Sequence, residues 1–196
     1  MTTPLDDAAL DTLFRTARTR NSWKPEPLPE GALKAIYDLA RMGPTAANSS
    51  PARFVFVTSE AAKERLAAAS ASSNGAKIKA APATAIIGYD LDFPDTLLKL
   101  FPHFPGMKDN FTAPGVLEAT AFRNGSLQGA YLMIAARALG FDCGPMSGFD
   151  NAKVDELFFA GTNIKSNFIC SIGHGDTAGL FDRLPRHDFD DVCKIL

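Results

Sequence analysis

Cysteine is scarce in this 196-residue chain, and its three copies, Cys143, Cys170 and Cys193, are odd in number and far apart. No pair has the spacing that grips zinc or forms a redox dithiol, so all three read as buried or free thiols. His103, His174 and His187 are just as scattered. Neither a metal site nor a histidine-centred catalytic group is expected. Long apolar runs are missing too: the longest, Gly129 to Ala136, is stopped by Arg137, far short of the roughly 18 residues that span a bilayer. The N-terminus, Met1-Thr2-Thr3-Pro4-Leu5-Asp6-Asp7, is acidic and lacks the basic flank and apolar stretch of a signal peptide. A cytoplasmic protein without a membrane partner is the expectation. The formal net charge of -2 and the lack of a long basic run also argue against nucleic acid. No internal repeat or linker divides the chain, and its 46% hydrophobic residues suffice for a real core, so residues 1–196 read as a single domain.

What is present centres on residues 43–57. A helix with Leu33, Ile36, Tyr37 and Ala40 on one face is stopped by Gly43-Pro44. Phe54-Val55-Phe56-Val57 then reads as a buried strand. The intervening loop of small and hydroxyl residues, with Asn48 among them, suits close approach to a flat polar ligand or is an ordinary connection. A first helix is expected over Asp6–Arg18, and Arg15, Arg18, Arg20 and Lys24 gather positive charge near its end. Such cations complement a helix C-terminus or clamp a phosphate.

Further helices are expected over Glu60–Ala71, ended by Ser72-Ser73-Asn74-Gly75, over Leu117–Leu139, and over Asp155–Phe159. Ala83–Tyr89 and Phe168–Gly173 read as strands. Between Asp92 and Pro114, four phenylalanines alternate with prolines around a short helix at Asp95–Leu100, forming a lid, a pocket wall or a packed surface cluster. The long helix is apolar nearly all round from Leu127 to Ala136 apart from Gln128, so it is a core helix or part of a subunit interface. Gly125, Ser126, Gly129 and Ala130 would let another helix come close. Gly140 closes it. Ser147 lacks the surroundings of a hydrolase nucleophile.

Taken together, these motifs resemble the FMN-dependent nitroreductase family. That family's helix end carries Pro-Ser, a downstream Asn and Gln-Pro-Trp-Arg-Phe; Pro44, Asn48, Pro51, Arg53 and Phe54 match it, Thr45 replaces Ser, and Ser50 and Ala52 replace Gln and Trp. Arg18-Thr19-Arg20-Asn21 is similar to the family's Arg-Ser-x-Arg, which implies Arg18 and Thr19 on the phosphate and ribityl side. Asn21 stands where the family has a base, so Arg20 is taken to supply that charge. Asn74 occupies the place of a flavin-contacting Asn, and Arg186 that of a C-terminal phosphate-binding Arg. In Gly144-Pro145-Met146-Ser147-Gly148-Phe149-Asp150, the amides of Ser147 and Gly148 would face the reactive edge of the isoalloxazine ring.

The resemblance covers most of the chain and implies an α+β nitroreductase-like fold, a small central sheet flanked by helices, in an intertwined homodimer with flavins at the interface. The implied cofactor set is Arg18, Thr19, Arg20, Pro44, Thr45, Ala46, Asn48, Asn74, Pro145, Met146, Ser147, Gly148 and Arg186, with no catalytic side chain. The implied activity passes a hydride from NADPH or NADH to flavin N5 and then to a second substrate in the same place. Gly-Pro-Thr, Ser-Pro-Ala-Arg and Gly-Pro-Met-Ser-Gly-Phe-Asp resemble the malonic semialdehyde reductase subgroup of pyrimidine catabolism, whose product is 3-hydroxypropanoate. Arg53 or Arg123 is available to anchor such an acid. The alternatives are a broad nitroaromatic or quinone reductase, and a flavin-binding protein without turnover.

Overall fold

The computed structural model describes residues 3–196; Met1 and Thr2, which open the acidic stretch read above as lacking a signal pattern, lie outside them. Helices α1 (Asp7–Leu10), α2 (Ala32–Ala40), α3 (Glu60–Ala68), α4 (Ser72–Ala80), α5 (Leu97–Leu100), α6 (Val116–Ala138), α7 (Asn151–Phe158) and α8 (Phe189–Val192) surround one sheet. Its strands are β1 (Ala52–Val57), β2 (Ala83–Asp90), β3 (Asp142–Met146) and β4 (Ile164–Gly173), in the order β1-β2-β4-β3 and antiparallel throughout. Central β2 and the Phe168–Gly173 half of β4 are mostly apolar, and both faces there are covered. Ile36 and Ala40 of α2 and Leu132, Ala135 and Ala136 of α6 pack on Ala85, Ile87, Cys170 and Ile172. Leu66, Ile78 and Val154, from α3, α4 and α7, pack on Ile86 and Ile169. This is the α+β arrangement expected.

Several boundaries differ from the sequence expectation for local reasons. The first helix stops well before Arg18: α1 passes into one π turn, Asp11–Arg15, and Thr16 donates both its N–H (3.0 Å) and its hydroxyl (2.8 Å) to the Asp11 carbonyl. Arg18 is therefore outside any helix, and a helix C-terminus does not account for it. Ser72-Ser73-Asn74-Gly75 opens α4 instead of ending α3, and Gly75 lets the two helices close, since a Cβ there would stand 3.2 Å from the Ala67 carbonyl oxygen. α7 begins at Asn151 because the Asp150 carboxylate accepts the Lys153 N–H at 3.1 Å. β4 reaches back to Ile164, past a register shift opposite Gly88, where a Cβ would stand 2.7 Å from Ile164 Cγ2.

The 92–114 segment is a satellite core: Phe93 and Leu97 are buried against Tyr89 and Ala121, with Phe101, Met107 and Phe111 packed around them. α6 is covered on one side only. Leu132, Ala135 and Ala136 are buried, whereas Phe122 (50%), Leu127 (45%) and Tyr131 (38%) remain exposed. Its glycines admit the sheet, not another helix, for a Cβ at Gly129 would stand 2.6 Å from Phe168 Cζ. Cys143 and Cys170 are buried and Cys193 exposed, all as free thiols. Hydrogen bonding with Cys143, and then burial, push the Cys170 thiol well up, leaving it protonated and unreactive. Among the described residues no helix is long and apolar enough to cross a membrane, and no cluster of His, Cys, Asp and Glu is gathered for a metal.

Candidate functional site

Beyond Thr16 the chain runs beside β3: Thr19 forms a parallel bridge with Cys143, and the Arg20 N–H donates to the Cys143 carbonyl at 3.0 Å. Arg18, Thr19 and Asn21 thereby line a cleft of about 720 Å³ that Arg137 of α6 and Arg183, Leu184 and Arg186 of the C-terminal tail also border. Arg20 does not line it. Its Nε lies 3.1 Å from Asp142 Oδ1, so the charge expected to replace Asn21 is committed to that ion pair. Arg137 and Arg183 supply it instead.

The cleft carries more positive than negative charge. Arg15 is paired with Asp7 at 2.7 Å and Asp11 at 3.4 Å. Arg18, Arg137, Arg183 and Arg186 form no ion pair among the described residues; they donate to backbone carbonyls, Arg18 to that of Phe181 and Arg183 to those of Arg15 (2.6 Å) and Ala17 (3.0 Å). Among the described residues only Asp182 brings an acid to the lining. Several guanidinium groups held by carbonyls, with donors still available, suit a phosphate dianion.

From Cys143, β3 leads through Pro145 and Met146 to Ser147 and Gly148, both exposed. Their carbonyls are engaged: Ser147 O accepts from Phe149 N at 3.1 Å, and Gly148 O from Ala71 N at 3.0 Å and Asn74 Nδ2 at 3.1 Å. Neither amide donates a turn, loop or cap hydrogen bond among the described residues. Asn74 thus braces this turn, and a Cβ at 148 would stand 2.7 Å from Asn74 Nδ2 and displace that amide.

The loop before β1 is strained and fastened. Ala47, Asn48 and Ser50 have φ of 51°, 47° and 40°, a region that non-glycine residues seldom occupy. α6 holds it at two points, Asn124 Oδ1 accepting from Ala46 N at 2.8 Å and Gln128 Oε1 from Ala52 N at 2.8 Å. Thr45 Oγ1 accepts from Ser50 N at 3.1 Å, and Asn48 Nδ2 donates to the Leu100 carbonyl at 2.9 Å. Pro44, Ala46 and Asn48 stay exposed. Asn124 and Gln128 were not singled out as loop supports by the sequence. Two amides four residues apart on an otherwise apolar helix face were the available signal.

One chain does not gather these parts. β1 and β3 are the outer strands, about 14 Å apart at three strand spacings, so the 44–50 loop and the arginine cleft stand at opposite sheet edges.

Residues 15–174 match the model of the Nitroreductase family. A protein of Caulobacter vibrioides provisionally named NADH dehydrogenase/NAD(P)H nitroreductase is 67% identical over 192 residues, 98% of each chain. A Stenotrophomonas maltophilia protein with the same provisional name is 61% identical over 197 residues, the whole of both chains. Among solved structures, a provisionally named nitroreductase of Exiguobacterium sibiricum in complex with FMN superposes over the full length of both chains with a TM-score of 0.85 at 21% identity. At that identity the likeness is one of fold.

Proposed function

This chain belongs to the nitroreductase family, and from that premise we propose that it is an FMN-dependent NAD(P)H oxidoreductase that acts as a homodimer on a short acidic aldehyde such as malonic semialdehyde. The observation that carries the cofactor is the cleft bordered by Arg18, Arg137, Arg183 and Arg186, joined by β3 to two backbone amides that donate no turn, loop or cap hydrogen bond among the described residues. Arg18, Thr19, Arg183 and Arg186 would hold the phosphate. Ser147 and Gly148 would direct N–H donors at negative charge developing on the ring, and Asn74 keeps their turn in place. FMN, when bound, supplies the hydride chemistry, with NADPH or NADH as co-substrate. The visible spectrum of the purified protein tests this: a yellow flavin spectrum, bleached by NAD(P)H, is expected, and a colourless protein that takes up no added FMN would reject it.

The homodimer is supported by the open α6 face and by the separation of the two site halves. In it, the 44–50 loop of one copy would complete the cleft of the other. Sedimentation should show a dimer down to nanomolar protein; a stable flavin-loaded monomer would sink the proposal.

For the substrate, Arg53 is removed as an anchor. Its Nη2 lies 2.7 Å from Asp90 Oδ2, and its Nη1 donates to the Ser50 (3.1 Å) and Ala52 (3.0 Å) carbonyls. Arg123 is exposed on α6, beside the loop-holding Asn124, and has no ion pair among the described residues. Arg123→Ala should raise KM for malonic semialdehyde about tenfold, with little change for a neutral nitroaromatic. The relatives' names favour a second reading, a nitroaromatic acceptor. A higher specificity constant for nitroaromatics than for the aldehyde would establish that reading and reject ours.

A further inference from the structure

The loop before β1 holds Ala47, Asn48 and Ser50 in the left-handed backbone region, with φ of 51°, 47° and 40°. Asparagine visits that region, whereas alanine and serine rarely do, so the cost falls on positions 47 and 50. A second cost lies between them. Ser49 is fully buried, and its Oγ has no hydrogen-bond partner among the described residues. A backbone shape that carries such costs persists only where the surrounding groups over-determine it.

One stripe of α6 supplies such groups. Asn124, Gln128 and Tyr131 stand at i, i+4 and i+7, on a single face of the helix. Asn124 accepts from Ala46 N just before the left-handed residues and Gln128 accepts from Ala52 N just after them, so the strained stretch is pinned at both ends. Both amide side chains are buried, and Asn124 is itself fixed, its Nδ2 donating to the Thr120 carbonyl at 2.8 Å. The Tyr131 ring covers Gly43 at the entrance to the loop, where a Cβ would stand 2.6 Å from Tyr131 Cγ.

We propose that Asn124 and Gln128 are positioning residues, which hold the 46–50 loop in its strained shape so that it presents a fixed surface to the flavin ring. The proposal rests on the cofactor reading above and divides the work of binding: the arginine cleft grips the phosphate, and the braced loop grips the ring that FMN and riboflavin share. Asn124→Leu and Gln128→Met each replace the acceptor with a side chain of similar size and leave a loop amide unpaired. Amide exchange read by mass spectrometry on the full chain as purified should then be at least tenfold faster across residues 44–52, with β2 and β4 exchanging as in the parent. FMN and riboflavin should both bind about tenfold more weakly and to the same degree, whereas Arg18→Ala is expected to cost FMN alone. Ala47→Gly, added to either variant, should restore most of the slow exchange and of both affinities, because glycine takes a φ near +50° without steric cost. A substitution that merely loosened the fold would speed exchange in β2 and β4 as well and gain nothing from the glycine. Should Asn124→Leu not fold, Gln128→Met carries the same measurements. Unchanged exchange over 44–52 in both variants, no rescue by Ala47→Gly, or faster exchange with unchanged flavin affinities overturns the proposal. A parent chain that binds neither flavin rejects the cofactor reading itself, and the exchange measurements then decide the brace alone.

Discussion

Replacing Arg18 with alanine is expected to weaken FMN binding about tenfold or more while leaving riboflavin nearly unaffected. Hydrogen bonds to charged groups contribute about 1.5–3 kcal/mol, and about 1.4 kcal/mol is a tenfold change in affinity. The structure sharpens the comparison, because Arg18 also donates to the Phe181 carbonyl and helps hold the tail that forms the far wall of the cleft. Loss of that tie alone would weaken both flavins alike. Arg186→Ala is the companion: its Nη1 is held by the Leu184 (2.9 Å) and Pro185 (3.0 Å) carbonyls, within its own tail segment. It should show the same preference for losing FMN. Parallel titrations of both variants with FMN and riboflavin decide the matter, and equal losses would exclude phosphate contact.

Ser147 separates a backbone role from a side-chain role. Ser147→Ala keeps the amide and should retain most activity. Ser147→Pro removes the donor, and deleting one oriented donor at a developing negative charge costs about 100- to 1,000-fold in rate. The fold should tolerate proline here: Met146 is the last residue of β3, the extended conformation that a residue before proline prefers, and the Ser147 carbonyl remains to accept from Phe149. Stopped-flow reduction of the flavin-loaded variants by NAD(P)H measures both. An inactive Ser147→Ala protein that still holds flavin would show that the hydroxyl, not the amide, is required.

Core strands were legible before any coordinates because burial leaves its mark locally, whereas their antiparallel pairing was not. Phe54–Val57 and Ala83–Tyr89 are continuous apolar runs, and such runs have few stable alternatives to a covered strand. The long α6 was legible for the same reason. Boundaries such as the one between α3 and α4 were not. Asn74-Gly75 has the composition of a turn, yet Gly75 is required by the closeness of Ala67, a contact that composition does not express.

By itself the sequence located most of the elements, though not α4, β3 or α8, and the motif positions at Arg18, Asn48, Ser147 and Arg186. Only the tertiary structure decided which charges are available. Arg20 and Arg53 look, in sequence, as free as Arg18 and Arg123, but Asp142 and Asp90 take them, and those partners lie 122 and 37 residues further along the chain. It also decided that Arg137 turns toward the tail arginines and that the 44–50 loop and the cleft stand at opposite sheet edges. The physical reason is range: hydrophobic periodicity is fixed by neighbours within a turn or two, whereas the pairing of a charge depends on which distant segments the fold brings within about 4 Å.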